Sequence, residues 1–228
     1  MQNQQANLSW RSSDGAGDVP VSERFDDPYF SLDNGLEETR HVFLAGNDLP
    51  ARFEGGFRIA ELGFGTGLNM LTAALAWQMA GVSGTLHLIS FEAYPMDASE
   101  MRRALAAFPE LGSLRDILVT AWSRGGPIAL SETVRLEVII GDARETLPAW
   151  RGMADAWFLD GFSPAKNPEL WGADLMGQVH AHTAPGGTAA TYTAAGFVRR
   201  GLSDAGFDVE RTPGFGRKRH MTRARRRT

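Results

Sequence analysis

Glu61-Leu62-Gly63-Phe64-Gly65-Thr66-Gly67-Leu68-Asn69 joins a short apolar run, 58–62, to a longer stretch of small and apolar residues, 66–80. The first run has the length of a buried strand and the second that of a helix, so the glycines fall at a strand-to-helix turn. Glycine lets a backbone turn tightly there and approach a ligand with no Cβ in the way. The spacing is G-x-G-x-G. Leu68 stands where a G-x-G-x-x-G fingerprint would continue, and no G-K-[ST] follows, so the phosphate-cradling loop is missing. A glycine turn preceded by Glu61 and lacking a phosphate lysine suits a ligand without phosphates. S-adenosyl-L-methionine is such a ligand, a cationic sulfonium amino acid on a nucleoside, whose charge nearby acids would offset.

Outward from that turn, strand and helix patterns alternate. Residues 85–91 read as a strand, and 97–108 as a helix with Asp97 as N-cap and Glu100 completing a capping box. Strands are expected at 134–140 and 155–159, and a short helix at 143–150. A helix at 168–182, a Pro185-Gly186-Gly187 turn, a strand at 188–193 and a helix at 194–205 follow. Such alternation implies an α/β, Rossmann-like, doubly wound and mostly parallel sheet, with ligands outside the carboxyl ends of its strands. Glu92 closes the second of these strands, where a carboxylate can accept both ribose hydroxyls, and Asp142 closes the third, placed for an adenine amino group. Each is equally readable alone as a solvated acid at a strand end.

The stretch Asp155-Ala156-Trp157-Phe158-Leu159-Asp160-Gly161-Phe162-Ser163-Pro164-Ala165-Lys166-Asn167-Pro168-Glu169-Leu170-Trp171 runs from a buried strand into a Pro- and Gly-rich loop with aromatics. It puts Asp160 at the mouth of the cleft as the candidate catalytic group. Phe162 and Trp171 are either platforms for a planar base or core aromatics. Lys166 reads as a phosphate contact or a loop brace.

The 228 residues carry 43% hydrophobic and 22% charged side chains, an ordinary balance for one globular domain. Residues 1–24 are expected to be a flexible segment, 25–57 an extension of the catalytic domain that runs to 222, and 223–228 a basic tail. The absence of Cys excludes disulfides, Cys-ligated zinc and a thiolate nucleophile. His41, His87, His180, His182 and His220 show no metal-site spacing, so no metal is expected. Neither a membrane-spanning run nor a secretory signal is visible, which makes a cytoplasmic domain the expectation. Net charge is −4, yet residues 211–228 hold eight basic side chains and no acid, leaving 15 basic against 27 acidic before them. Such a segment reads as a polyanion contact or as a solvated terminus.

The chain resembles the methyltransferase domain of the MnmC family. The likeness rests on F-D-D-x-Y-F-S-x-D-N-G-L-E-E-T-R at 25–40, E-L-G-F-G-T-G-L-N at 61–69, D-A-W-F-L-D-G-F-S-P-A-K-N-P at 155–168, A-G-F-V-R-R-G-L at 195–202 and G-F-G-R-K-R at 214–219. It implies methyl transfer from S-adenosyl-L-methionine to the aminomethyl nitrogen of 5-aminomethyl-2-thiouridine at the tRNA wobble position. In that reading Glu61, Gly63, Phe64, Gly65, Thr66, Gly67 and Asn69 wrap the cofactor and Glu92 holds its ribose. Asp142 and Ala143 lie at the adenine, and Asp160 stands at both the donor and the reacting amine. Phe162, Lys166, Arg199, Arg200, Arg217, Lys218 and Arg219 would contact tRNA. Tyr29, Asn34, Glu37, Glu38 and Thr39 belong to the extension that helps close the site. Many relatives continue into an FAD-dependent oxidase half. A stand-alone methyltransferase or an excised domain is therefore expected, with a separately encoded oxidase acting upstream. A small-molecule or protein N-methyltransferase and a non-catalytic RNA-binding module are the alternative readings.

Overall fold

The computed structural model describes residues 5–13, 17–31 and 34–227. Three strands, β1 (Leu8–Ser13), β2 (Gly17–Ser22) and β3 (Asp27–Pro28), form a small antiparallel sheet, and helix α1 (Gly35–Thr39) follows. Then come β4 (Arg58–Leu62), α2 (Leu68–Ala80), β5 (Leu86–Glu92), α3 (Ala98–Leu105), α4 (Gly112–Trp122), β6 (Ile128–Ala129) and β7 (Val134–Ile140). The chain continues through α5 (Ala143–Ala149), β8 (Ala154–Leu159), α6 (Ala173–Ala181), β9 (Thr183–Thr191), α7 (Gly196–Ala205), β10 (Phe207–Pro213) and β11 (His220–Arg226).

The main sheet has eight strands in the order β10-β11-β9-β8-β4-β5-β7-β6. Its five central strands are parallel, while β6, β10 and β11 pair antiparallel. Period-two alternation assigns the two faces. On β8, Ala156 and Phe158 enter one core with Met70, Leu71 and Trp77 of α2 and Leu118 of α4. Trp157 and Leu159 enter the other with Leu147 of α5, Leu175 of α6 and Val198 of α7. Because β4 is covered on both faces, its residues after Arg58 are all buried, Glu61 among them, so the strand shows no polar alternation. Chain order reverses at β4, with β5 and β7 on one side and β8 and β9 on the other. A crevice therefore opens beyond the carboxyl ends of β4 and β8.

Most expected elements form within a few residues of their expected bounds, including the Asp97–Glu100 capping box. The helix expected over 168–182 is split at Gly172 into a 3₁₀ turn, Pro168–Trp171, and α6. Strand β9 starts at Thr183, so the Pro-Gly-Gly turn lies within it, by a register shift against β8.

Two segment readings are corrected. Much of the expected flexible segment 1–24 is the β1–β2 hairpin, with Val19 and Val21 buried. Arg103 of α3 bonds Asp18 at 2.8 Å and lies 4.0 Å from the Trp10 ring, so the hairpin is tied to the body. The expected turn at 14–16 lies outside the described residues. The expected basic tail, 223–228, is largely β11, seated between β9 and β10. Arg223 bonds the Gly46 carbonyl and Asp48, and Arg225 bonds the Gly186 carbonyl and Asp48. Arg226 reaches the Thr183 carbonyl, and Arg227 reaches Asp208 at 2.7 Å. Every partner is remote in sequence, so the local run of cations looked unpaired. Among the described residues, no helix is long and apolar enough to cross a membrane.

Candidate active site

The crevice is a cleft of about 500 Å³, walled by the turns that follow β4, β5, β7 and β8, by residues 25–31, by α1 and by the β10–β11 turn. Its floor depends on glycine. Gly63 has φ +81°, and a Cβ there would lie 3.2 Å from the Gly161 Cα, so the turns leaving β4 and β8 meet backbone to backbone. Gly65 has φ +54°, and a Cβ there would stand 3.0 Å from the Tyr29 ring. Gly63→Ala is expected to lower unfolding free energy in urea by about 1–3 kcal/mol, because neither backbone can yield. Gly81→Ala has nothing within 4 Å to clash with and is expected to cost less.

Glu92, at the end of β5, is buried, with Oε2 accepting from the Gly65 N–H at 2.8 Å and Oε1 from the Tyr94 N–H at 2.7 Å. Burial pushes its carboxyl above the usual range, and these N–H donors oppose that rise. Each oxygen keeps acceptor capacity for a hydroxyl. Asp142 caps α5, and its carboxyl is held below the ordinary value by the Arg144 side chain. It lines the cleft together with Ala143 and Arg144. Phe162 is boxed by Phe25, stacked at 4.6 Å, and by Tyr29, edge-on at 5.0 Å.

Asp160 follows β8. Its Oδ2 accepts from Asn69 Nδ2 at 2.7 Å, and desolvation pushes its pKa up to about 6 against the pull of the Asn69 and Gly161 N–H groups. Facing it is Glu38 of α1, paired with Lys218 at 2.7 Å, and the Lys218 ammonium lies 4.1 Å from the Tyr192 ring centre. Tyr192 O–H donates to the Gly161 carbonyl at 2.9 Å. The cleft thus has an acidic, glycine-lined half and an aromatic, basic half, with Asp160 where they meet.

Of the expected site residues, Gly63, Phe64, Gly65, Thr66, Asn69, Glu92, Asp142, Ala143, Asp160, Phe162, Arg217 and Lys218 line this cleft. Others lie elsewhere. Glu61 is wholly buried behind it, accepting from Asn69 at 2.9 Å and Ser90 at 2.7 Å. Gly67 is the left-handed N-cap of α2 and does not line the cleft. Lys166 also lies off the wall. It bonds the Asp26 carbonyl and stands 3.6 Å from Asp27, strapping the loop after β8 to the N-terminal segment. Trp171 is buried and donates to the Phe162 carbonyl at 2.9 Å, so it braces the loop and offers no face to a base. Arg199 and Arg200 sit on α7, and Arg219 on the β10–β11 turn, all outside the cleft wall. Tyr192 and Phe215 line the cleft without having been expected there. Tyr192 directly follows β9, which ends at Thr191, short of the strand expected over 188–193, so the strand-end logic applied to Glu92 pointed past it.

A family model described as S-adenosyl-L-methionine-dependent methyltransferase matches residues 110–227. Over 224 residues the chain is 46% identical to the tRNA 5-methylaminomethyl-2-thiouridine biosynthesis bifunctional protein MnmC of Chromohalobacter salexigens, covering 94% of this chain and 32% of that protein. It is likewise 46% identical over 230 residues to the protein of that name from Caulobacter sp., covering 95% and 38%. The chain therefore spans about a third of the length of these relatives. The crystal structure of MNMC2 from Aquifex aeolicus is similar with a TM-score of 0.76 at 26% identity, covering 96% of this chain and 70% of that one. Spermidine synthase from Thermotoga maritima shares the fold, with a TM-score of 0.61 at 12% identity, covering 99% and 70%.

Proposed function

The chain belongs to the S-adenosyl-L-methionine-dependent methyltransferase family, and from that membership we propose that it methylates the exocyclic amine of 5-aminomethyl-2-thiouridine at the tRNA wobble position, giving 5-methylaminomethyl-2-thiouridine. The observation that carries this reading is Asp160, one partly desolvated carboxylate between a half-cleft suited to a nucleoside and a half-cleft lined by Tyr192, Phe215, Arg217 and Lys218.

The acidic half fits the cofactor. Gly63 and Gly65 leave the backbone bare, and Glu92 offers its carboxylate oxygens to a ribose. Asp142 and Ala143 would meet the adenine edge, and Phe162, Phe25 and Tyr29, which line the same cleft, offer it aromatic surface. Bound there, the cofactor supplies an electrophilic methyl on a sulfonium. The protein must present a neutral amine in line with it, about 3–3.5 Å away. A primary alkylammonium titrates near 10, so about a thousandth is neutral at pH 7. Asp160 orients the ammonium, accepts its proton and leaves the nitrogen lone pair free. A pKa of about 6 suits that task, since the carboxyl is mostly ionised at pH 7 yet more basic than an ordinary Asp. The primary amine would come from an upstream FAD-dependent oxidation that removes a carboxymethyl group, and a tRNA substrate places the activity in the cytoplasm.

The test is transfer of labelled methyl to tRNA bearing the aminomethyl group, followed by nucleoside analysis. Cofactor binding without methylated nucleoside would overturn the tRNA assignment. The β10–β11 turn also makes a salt prediction. Arg217→Ala and Arg219→Ala are each expected to flatten the log–log salt slope of tRNA binding by about 0.7–0.9. Arg225→Gln is expected to leave the slope alone, because Asp48 and the Gly186 carbonyl already occupy that guanidinium.

A further inference from the structure

Asn69 stands at the centre of a buried network that joins four elements to Asp160. Its Nδ2 donates to Glu61 Oε1 at 2.9 Å and to Asp160 Oδ2 at 2.7 Å, while its Oδ1 accepts from the Thr39 hydroxyl at 2.7 Å. Ser90 of β5 donates to the other Glu61 oxygen at 2.7 Å. Thr39, Asn69, Glu61 and Ser90 are all buried, Glu61 and Ser90 completely. Both amide hydrogens are therefore used on carboxyl oxygens. A flipped amide would set its own oxygen against two acceptors. The two carboxyl oxygens set the orientation, and the Thr39 hydroxyl completes it by donating to Asn69 Oδ1, the amide atom they leave unused.

We propose that Thr39 and Asn69 are positioning residues that aim Asp160 into the cleft, so that seating α1 against α2 completes the active site. This rests on the reading of Asp160 as the group that takes the amine proton. The geometry recasts Asn69, which would otherwise count only as part of the cofactor loop, and gives α1 a function beyond closing the cleft. It also explains Glu61, a wholly buried acid that does not line the cleft. Glu61 fixes one amide hydrogen, and its carboxyl lies well above the ordinary range because of burial. The other titratable groups around Asp160 are Glu38 on α1, Lys218 on the β10–β11 turn and Tyr192 after β9, with Glu92 of β5 acting on Glu61.

The experiment is a carbon-13 titration of aspartate carboxyls in the full chain, with the Asp160 signal assigned by Asp160→Asn, alongside kcat and cofactor affinity. Thr39→Val keeps the shape and removes the donor. Its Asp160 midpoint is expected to rise by about half a pH unit or more as Asn69 loses the donor that anchors its Oδ1 and holds its amide against Asp160. Its kcat should fall by roughly tenfold, with cofactor affinity changed by less than about twofold. Thr39→Ser should restore both values, and Thr39→Ala serves as the second variant if Thr39→Val does not fold. An unmoved midpoint overturns the proposal, whatever happens to kcat. A moved midpoint in a protein that fails to methylate tRNA supports the positioning network and rejects the substrate assignment.

Discussion

Asp160→Asn is expected to lower methyl transfer by about 10²–10⁴-fold while leaving cofactor affinity within a few-fold, the usual range for loss of a general base. Asn keeps the size and still accepts from Asn69, but it cannot take a proton. Wild-type kcat should rise with pH through about 6, as Asp160 ionises, and go on rising as more amine becomes neutral. The variant should keep only the second rise. Stability should move the opposite way. Asp160 has a folded pKa raised above its ordinary value, so its contribution is full at low pH and is lost as pH rises through about 6. At neutral pH the wild-type protein holds a desolvated charge that Asp160→Asn removes, and the variant should unfold about 2–3 kcal/mol harder. Near-wild-type turnover at pH 7 would make Asp160 structural. A variant no more stable than wild type would show that the carboxylate is better solvated than its surroundings imply.

Glu92→Ala should produce the second large effect, a loss of S-adenosyl-L-methionine affinity of about 100-fold by calorimetry. This corresponds to roughly 3 kcal/mol for charge-assisted hydrogen bonds to ribose. Part of the loss is indirect. The Gly65 and Tyr94 N–H groups, which Glu92 holds at 2.8 and 2.7 Å, would lose their acceptor, and the glycine turn would lose its shape. Glu92→Gln, which keeps one carbonyl oxygen, should fall in between. Because burial already raises the Glu92 carboxyl, the fold should survive either change. Unchanged affinity in Glu92→Ala would remove the ribose role.

The elements that sequence reading found share one property, in that their signal is local. The G-x-G-x-G turn, the capping box at Asp97 and the β-branched run 134–140 each declare themselves within about ten residues. Glu92, Asp142 and Asp160 followed from position alone, one at the end of each strand. What stayed hidden depends on partners far along the chain. The β11 arginines and Arg227 are matched by Asp48, Asp208 and the carbonyls of Gly46, Gly186 and Thr183, none of them near in sequence. Glu61 looked like a ligand for the same reason, since its partner Ser90 arrives from the neighbouring strand. Trp171 was ambiguous because an aromatic after a Pro-rich loop looks the same whether it faces a ligand or, as here, ties that loop to itself.

Strand β11 is synthesised after β10 yet lies between β10 and β9. Until residues 220–226 leave the ribosome, β9 presents an open edge in the middle of the future sheet, and β10 has no neighbour to pair with. An open edge of this kind is a template for pairing with other chains, most dangerous while folding is incomplete. The arginines of β11 bear on that interval. Arg223, Arg225 and Arg226 each carry a full positive charge, so nascent copies of the strand repel one another. Only the native slot provides Asp48 and the waiting carbonyls of Gly46, Gly186 and Thr183. Charge that neither lines the cleft nor catalyses there is thus expected to count during biosynthesis, and neutralising Arg223, Arg225 and Arg226 together should raise aggregation on refolding.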